Sequence, residues 1–315
     1  MTTSTIQNLM KQMTLNEKIA QLLQLAGPFF KGSTEQGHIT GPMAAMPISD
    51  ENIEHAGSVL GVSGAAEVIS IQKKHLENNR LGIPLLFMAD IIHGYKTIFP
   101  VPLAIACSWN TELAQKSAEI AAKEAAVSGV HVTFAPMVDL VRDPRWGRVM
   151  ESTGEDPYLN QVFAKAFVNG FQGQDLSNDL QSVAACVKHF AAYGAAEAGR
   201  DYNTVDLSER QLREMYLPAY KAALDEGCEM VMTAFNTVDG IPATGNEKLM
   251  RNLLREEWGF DGVLISDWGA VKELIPHGVA EDDKEAALKA IKAGVDIEMM
   301  TACYVQHLAE LVTEG

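Results

Sequence analysis

Short apolar runs alternate with amphipathic stretches along the whole chain. The runs are QLLQLAG (21–27), GSVLGV (57–62), IPLLFMAD (83–90), GVHVTFAPMVDL (129–140), VAACVKHF (183–190), CEMVMTAFN (228–236), GVLISD (262–267) and GVDIEMM (294–300). Runs of this length bounded by Gly and polar residues predict buried strands. Between them lie NTELAQKSAEIAAKEAAVSG (110–129), SERQLREMYLPAYKAALDEG (208–227) and NEKLMRNLLREEWG (246–259), which carry apolar residues at helical spacing. These open on Asn or Ser and close on Gly, the residues that cap helices.

Strands that are apolar throughout are covered on both faces, so the alternation predicts a parallel α/β sheet. Eight such units in 315 residues match the size of a (β/α)8 TIM barrel. A doubly wound open sheet is the competing architecture, but it calls for a Gly-rich phosphate loop after the first strand, and QLLQLAGPFF has none. The expected irregularities are in the first two strands, in the Pro- and Gly-containing segment 27–55, and in a closing helix that the chain leaves truncated.

Composition narrows the partners. With 25 Lys and Arg against 41 Asp and Glu, the formal charge is −16. This disfavours nucleic acid and anionic membranes and suits a neutral small-molecule substrate. The N-terminal stretch shows no apolar segment flanked by basic residues, so a cytoplasmic protein is expected. Cys107, Cys186, Cys228 and Cys303 are scattered, which predicts reduced, mostly buried thiols rather than disulfides. No closely spaced His or Cys ligand set appears among the eight histidines, so no metal or other cofactor is expected.

The polar residues fall at the C-terminal ends of the runs, where barrel enzymes place their chemistry. The third run ends in Asp90 and is followed by His93. The fourth leads to Asp139 and the loop RDPRWGRVMESTGEDP, the fifth reaches Lys188 and His189, and the seventh ends in Asp267 and Trp268. Of Arg145 and Arg148, one is expected to pair with Glu151, Glu155 or Asp156 and the other to reach the pocket. Cations at Lys188 and His189 are expected to hold Asp90 and Asp267 ionised. Carboxylates, cations and aromatic rings together suit a sugar, whose hydroxyls take charged hydrogen bonds and whose C–H face lies against a ring. Cleavage with retention needs a carboxylate nucleophile and a second carboxylic acid. On this logic Asp267 is the nucleophile candidate and Trp268 a wall of the pocket.

MADIIHG, DPRWGR…GEDP, VKHFAAYG, RDYNT, GFDGV and ISDW, in this order, resemble glycoside hydrolase family 3 of the β-glucosidase type, from about the first predicted helix to the last residue. The resemblance implies retaining hydrolysis of terminal β-D-glucosyl or xylosyl residues without cofactor, with Asp267 as nucleophile. It implies that Asp90 grips sugar hydroxyls, helped by Arg148, Lys188 and His189. Trp268 would border the site, Met232 and Phe235 would line it, and Asp201 would bind or position, with Tyr202 a weaker candidate beside it.

Two departures bear on activity. Family β-glucosidases carry an α/β sandwich domain after the barrel that typically supplies the acid/base. Here residues 1–315 read as the barrel alone, ending at LAELVTEG. The loop after the fifth run, AAYGAAEAGRDYNT, also lacks the histidine that barrel-only N-acetylglucosaminidases of the family use. The resulting expectation is a barrel with its nucleophile and binding residues, acting weakly or not at all without the second domain. The alternatives are a non-catalytic sugar-binding barrel and a Schiff-base aldolase built on Lys188. The aldolase is disfavoured because neighbouring carboxylates would keep that amine protonated.

Overall fold

The computed structural model describes residues 3–62 and 64–315. Eight strands form one parallel sheet: β1 Leu23–Ala26, β2 Ser58–Leu60, β3 Leu86–Ala89, β4 Val132–Thr133, β5 Ala184–Phe190, β6 Met230–Thr233, β7 Val263–Ile265 and β8 Glu298–Met299. Their spatial order follows the chain from β1 to β7, and β8 pairs with β1 through Leu23↔Glu298 and Gln24↔Met299. A parallel bridge Ile265↔Ile297 joins β7 to the approach of β8, and the barrel is nearly closed. All eight predicted runs therefore contain a strand of a (β/α)8 barrel. The irregularity lies elsewhere than expected. β2 pairs regularly with β1 and with β3 over three residues each, whereas β4 and β8 shrink to two residues each.

Side-chain alternation sorts each strand between two apolar layers. Ala185, Val187, Val231 and Leu264 belong with the covering helices. Cys186, Met230, Met232 and Ile265, their neighbours in sequence, belong to a second cluster with Met88 and Met299. Gln24 lies buried there too, its amide donating to Ser58 Oγ at 3.3 Å and contacting Met88 Sδ at 3.0 Å. Cys186, Cys228 and Cys303 are buried, and Cys107 is exposed.

The helices follow their caps. Asn110 accepts the amides of Glu112 and Leu113 and opens helix Thr111–Val127, and Asp156 accepts the Leu159 amide and opens helix Pro157–Gln172. These two helices pack closely because Ala114, Ala118, Ala121 and Ala125 present a small-residue stripe. A Cβ at Gly170 would lie 2.4 Å from the Gln115 carbonyl oxygen, so only glycine permits the approach. The segment 27–55 is irregular as expected, with 3-10 turns at Gly27–Phe29 and Gly41–Ala45, but it ends in a capped helix, Asp50–His55. Helix Cys303–Glu314 runs three turns and packs against helices Leu15–Ala20 and Asp283–Ala293, so the last unit is covered rather than left partial.

Candidate active site

Asp267 stands one residue past the β7–β8 seam. Ser266 donates its amide to the Ile297 carbonyl at 2.8 Å, and its Oγ accepts the Met299 amide at 2.9 Å, which fixes the backbone that delivers the carboxylate. Asp267 Oδ1 accepts the Trp268 amide at 2.6 Å. Its Oδ2 is buried without a hydrogen-bond partner and lies 3.4 Å from His189 Nε2. Burial raises the Asp267 pKa to about 6, against the pull of Lys188, the Trp268 amide and Arg148, while Asp90 adds to the rise. The carboxylate is still mostly ionised at neutral pH, as expected, but the cations do not keep its pKa low, because desolvation outweighs them.

Lys188 is almost wholly buried, and its Nζ donates to Asp90 Oδ1 at 2.7 Å. Asp90 itself is open to solvent, with 55% of its side chain exposed, so it reaches the mouth of the barrel. His189 is also buried, its Nδ1 2.7 Å from Asp139 Oδ2. Burial, Arg148 and Lys188 push the His189 pKa far down, so the ring is neutral and is not the cation the sequence suggests. A regular strand would send Lys188 and His189 to opposite faces. The β5–β6 register shifts between Val187 and Phe190, and a bulge of this kind re-aims side chains toward a site.

The loop after β4 holds the arginines differently from expectation. Arg145 folds back on Asp143, with both side chains at the surface edge. Arg148 does both jobs assigned to the pair. It binds Glu151 through Nε at 2.7 Å and Nη2 at 2.9 Å, and it also faces the site, where Asp139 and Asp267 help to raise its pKa. Its guanidinium lies 5.7 Å above the Tyr193 ring. Tyr193 is a buried hub: Trp146 and His189 meet it edge-on at 5.2 Å, and Phe235 lies 5.8 Å away. A Cβ at Gly194 would lie 2.3 Å from the Leu140 carbonyl oxygen, so glycine lets the AAYG turn press against the strand-four loop.

Of the remaining candidates, Trp268 is 43% exposed. Phe235 is buried and stacks on the half-exposed Tyr202 at 4.3 Å with 32° between the rings. Met232 sits inside the barrel filling and does not line an open surface. Asp201 accepts the Trp146 indole N–H at 2.9 Å, so it pins the DPRWGR loop rather than reaching the nucleophile. His93 is used locally, its Nδ1 2.9 Å from the Phe99 carbonyl.

Two acidic residues of this site receive no role from the sequence, although Asp139 stands out there near the end of its apolar run. Asp139 is completely buried under His189, and its Oδ1 accepts the Tyr220 hydroxyl at 2.7 Å. A carboxylate inside the apolar run VTFAPMVDL was the available signal. Glu273 follows Asp267 by six residues, on the 3-10 turn Lys272–Leu274. Its Oε2 is buried without a partner, and burial together with the Asp267 charge raises its pKa to about 7. In the sequence it is indistinguishable from a surface glutamate.

Two carboxyls that titrate apart from the ordinary range, a neutral imidazole and two cations thus converge on one barrel mouth. The family model for the glycosyl hydrolase family 3 N-terminal domain matches residues 14–315. The chain belongs to glycosyl hydrolase family 3. The periplasmic β-glucosidase of Salmonella typhimurium is 41% identical over 98% of the chain, and a putative β-xylosidase of Formosa agariphila is 31% identical over the same share. The β-glucosidase of Listeria innocua, solved in complex with glucose, superimposes over 100% of the chain with a TM-score of 0.98 at 59% identity. The family 3 chain spans 39% of the Salmonella protein, 42% of the Formosa protein and 44% of the Listeria chain.

Proposed function

We propose that the chain is the barrel of a retaining β-glucosidase acting on terminal β-D-glucosyl residues of a β-glucoside or oligosaccharide, with Asp267 as nucleophile. The observation that carries the proposal is the Asp267 Oδ2 atom: buried, unpartnered, and held at a strand end by its sister oxygen's bond to the Trp268 amide. Such an oxygen is oriented and free of competing donors, as attack on an anomeric carbon requires. Asp90, Lys188 and Arg148 would hold the sugar hydroxyls, and Trp268 would cover its C–H face.

Retention needs a carboxylic acid as well as the nucleophile. Glu273 offers one within the barrel. Burial raises its pKa to about 7, above the value of about 6 for Asp267, so of the two carboxyls Glu273 is the one that keeps a proton to higher pH. In the first step Asp267 Oδ2 would form a bond to the anomeric carbon as the aglycone oxygen departs, taking the Glu273 proton. In the second, the Glu273 carboxylate would take a proton from water as that water attacks the anomeric carbon, releasing the sugar and the Asp267 carboxylate. This assignment competes with an acid/base supplied from the expected sandwich domain beyond residue 315.

Proton NMR of the first-formed product from an aryl β-glucoside tests the reading. The β-anomer appears first if the reaction is retaining, and the α-anomer appearing first contradicts it. The alternative reading is a sugar-binding barrel without turnover, for which the outcome is glucose binding with no hydrolysis of a nitrophenyl glucoside. A cytoplasmic location stands as a further proposal, checked by cell fractionation. Recovery in the periplasm, where the name of the Salmonella relative places that protein, would contradict it.

A further inference from the structure

Beneath the nucleophile lies a buried chain of polar groups that neither attacks nor donates in the steps above. Asp139 Oδ2 accepts the His189 backbone amide at 3.1 Å and lies 2.7 Å from His189 Nδ1. Asp139 Oδ1 lies 2.7 Å from the Tyr220 hydroxyl, which is also 2.5 Å from the His189 carbonyl oxygen. The Asp139 side chain has no exposed surface, and that of His189 has 1%.

The backbone amide favours one proton arrangement. An amide N–H can only donate, so Asp139 Oδ2 is an acceptor whatever the charge on the carboxyl. If Asp139 is protonated, Oδ1 is the favoured site, because a bare oxygen accepts the His189 amide better than a carboxylic hydroxyl does, and Tyr220 then accepts that proton while donating to the His189 carbonyl. If Asp139 is ionised, Tyr220 can donate to Oδ1. A proton on Oδ2 would place the ring proton on Nε2, whereas in both of these arrangements Oδ2 faces Nδ1 as an acceptor and Nδ1 carries the ring proton. A neutral ring then leaves Nε2 with a lone pair, and Nε2 is the atom 3.4 Å from the unpartnered Asp267 Oδ2. Two acceptors thus face the same point.

We propose that Asp139 is a positioning residue which locks His189 as the Nδ1-protonated tautomer, so that Nε2 and Asp267 Oδ2 together demand a hydroxyl donor from the substrate. The ligand class is a polyol ring carrying a hydroxyl next to the carbon that Asp267 attacks. That hydroxyl gives its proton to this acceptor pair, and its oxygen is left to accept from a cation. The identity of the donor rests on the glycosidase reading, whereas the tautomer does not.

The tautomer is read directly by long-range proton–nitrogen NMR of the 15N-labelled chain without ligand, with His189→Gln assigning the signal. The wild type shows a neutral ring with the proton on Nδ1. Asp139→Asn keeps that tautomer, because its amide oxygen can replace Oδ2 and its NH2 can donate to Tyr220. Asp139→Leu loses the lock and shows the proton on Nε2 or on both sites in exchange. A wild-type ring protonated on Nε2, an imidazolium, or an unchanged Asp139→Leu spectrum overturns the proposal. Should Asp139→Leu not fold, the wild-type and Asp139→Asn spectra still decide it. Calorimetry with glucose and its monodeoxy analogues then tests the ligand. One deoxy position costs about tenfold or more in affinity in the wild type and Asp139→Asn, as an unpaired buried acceptor would. Equal affinities across the deoxy series overturn the donor demand while leaving the glycosidase reading to the anomer experiment.

Discussion

Replacing Asp267 with asparagine removes the nucleophile and, on the present account, makes the protein more stable at alkaline pH. The Asp267 carboxyl moves from 3.8 to about 6 on folding, which means that the folded state resists its ionisation. About two units correspond to roughly 3 kcal/mol, since each unit is about 1.4 kcal/mol. The sign follows from the direction of the shift. A raised folded-state value gives a contribution that is complete below the unfolded pKa and is lost as pH rises through about 6. The figure already includes the attraction of Lys188 and Arg148, so it is the net cost of keeping this charge in the barrel mouth. Asparagine keeps the shape and can still accept the Trp268 amide, but carries no charge. Urea unfolding of both proteins at pH 8 is the assay, repeated near pH 4, where the wild-type carboxyl is protonated in the fold and half so when unfolded. The variant gains about 3 kcal/mol at pH 8 and much less near pH 4. By the usual size scaling this is about 4–5 °C in melting temperature for a chain of this length. A variant less stable than the wild type at pH 8, or a gain independent of pH, would refute the claim that burial outweighs the cations.

Other outcomes follow from the same geometry. The pH profile of kcat/KM is a narrow bell, its acid limb near 6 set by Asp267 and its alkaline limb near 7 by Glu273, with the two apparent values belonging to the coupled pair. Glu273→Gln removes the alkaline limb and slows glucosides with poor leaving groups by about 10²–10⁴, while activated aryl glucosides change little at the first step. Steady-state kinetics across a leaving-group series checks this, and an equal loss for all leaving groups counts against the acid role. Lys188→Met raises KM for nitrophenyl glucoside by at least about tenfold, since it removes the Nζ that orients Asp90 and a cation facing Asp267. Gly170→Ala lowers the melting temperature without altering KM, because the new methyl meets the Gln115 carbonyl at 2.4 Å, a type of overpacking worth about 1–3 kcal/mol.

The barrel is legible in the sequence because each of its strands is buried on both faces and so appears as an apolar run between capped helices. Even two-residue strands such as β4 and β8 lie in long runs, since the flanking residues are buried although they leave the ladder. Asp267, Asp90 and Lys188 are legible because a charge at the end of an apolar run needs a reason. The energetic balance is not. Whether Asp267 is held ionised or pushed up depends on how much water reaches it, and a motif does not reveal that. The same holds for His189, whose neutrality comes from full burial beside two cations. Arg145 and Arg148 differ only in which way the turn aims them, and Asp201 is drawn to Trp146 by a contact spanning 55 positions. Glu273 becomes visible only when the turn after β7 folds its carboxyl back toward the nucleophile.

Which atom attacks the anomeric carbon decides the proposed reaction. Incubation with a 2-fluoro glucoside bearing a good leaving group, followed by mass spectrometry of the intact chain and of its peptides, tests that most directly. The predicted result is one fluoroglucosyl addition on the peptide containing ISDW, localised to Asp267 and absent from Asp267→Asn. A folded chain with no adduct, or with the adduct on another residue, would contradict the central claim.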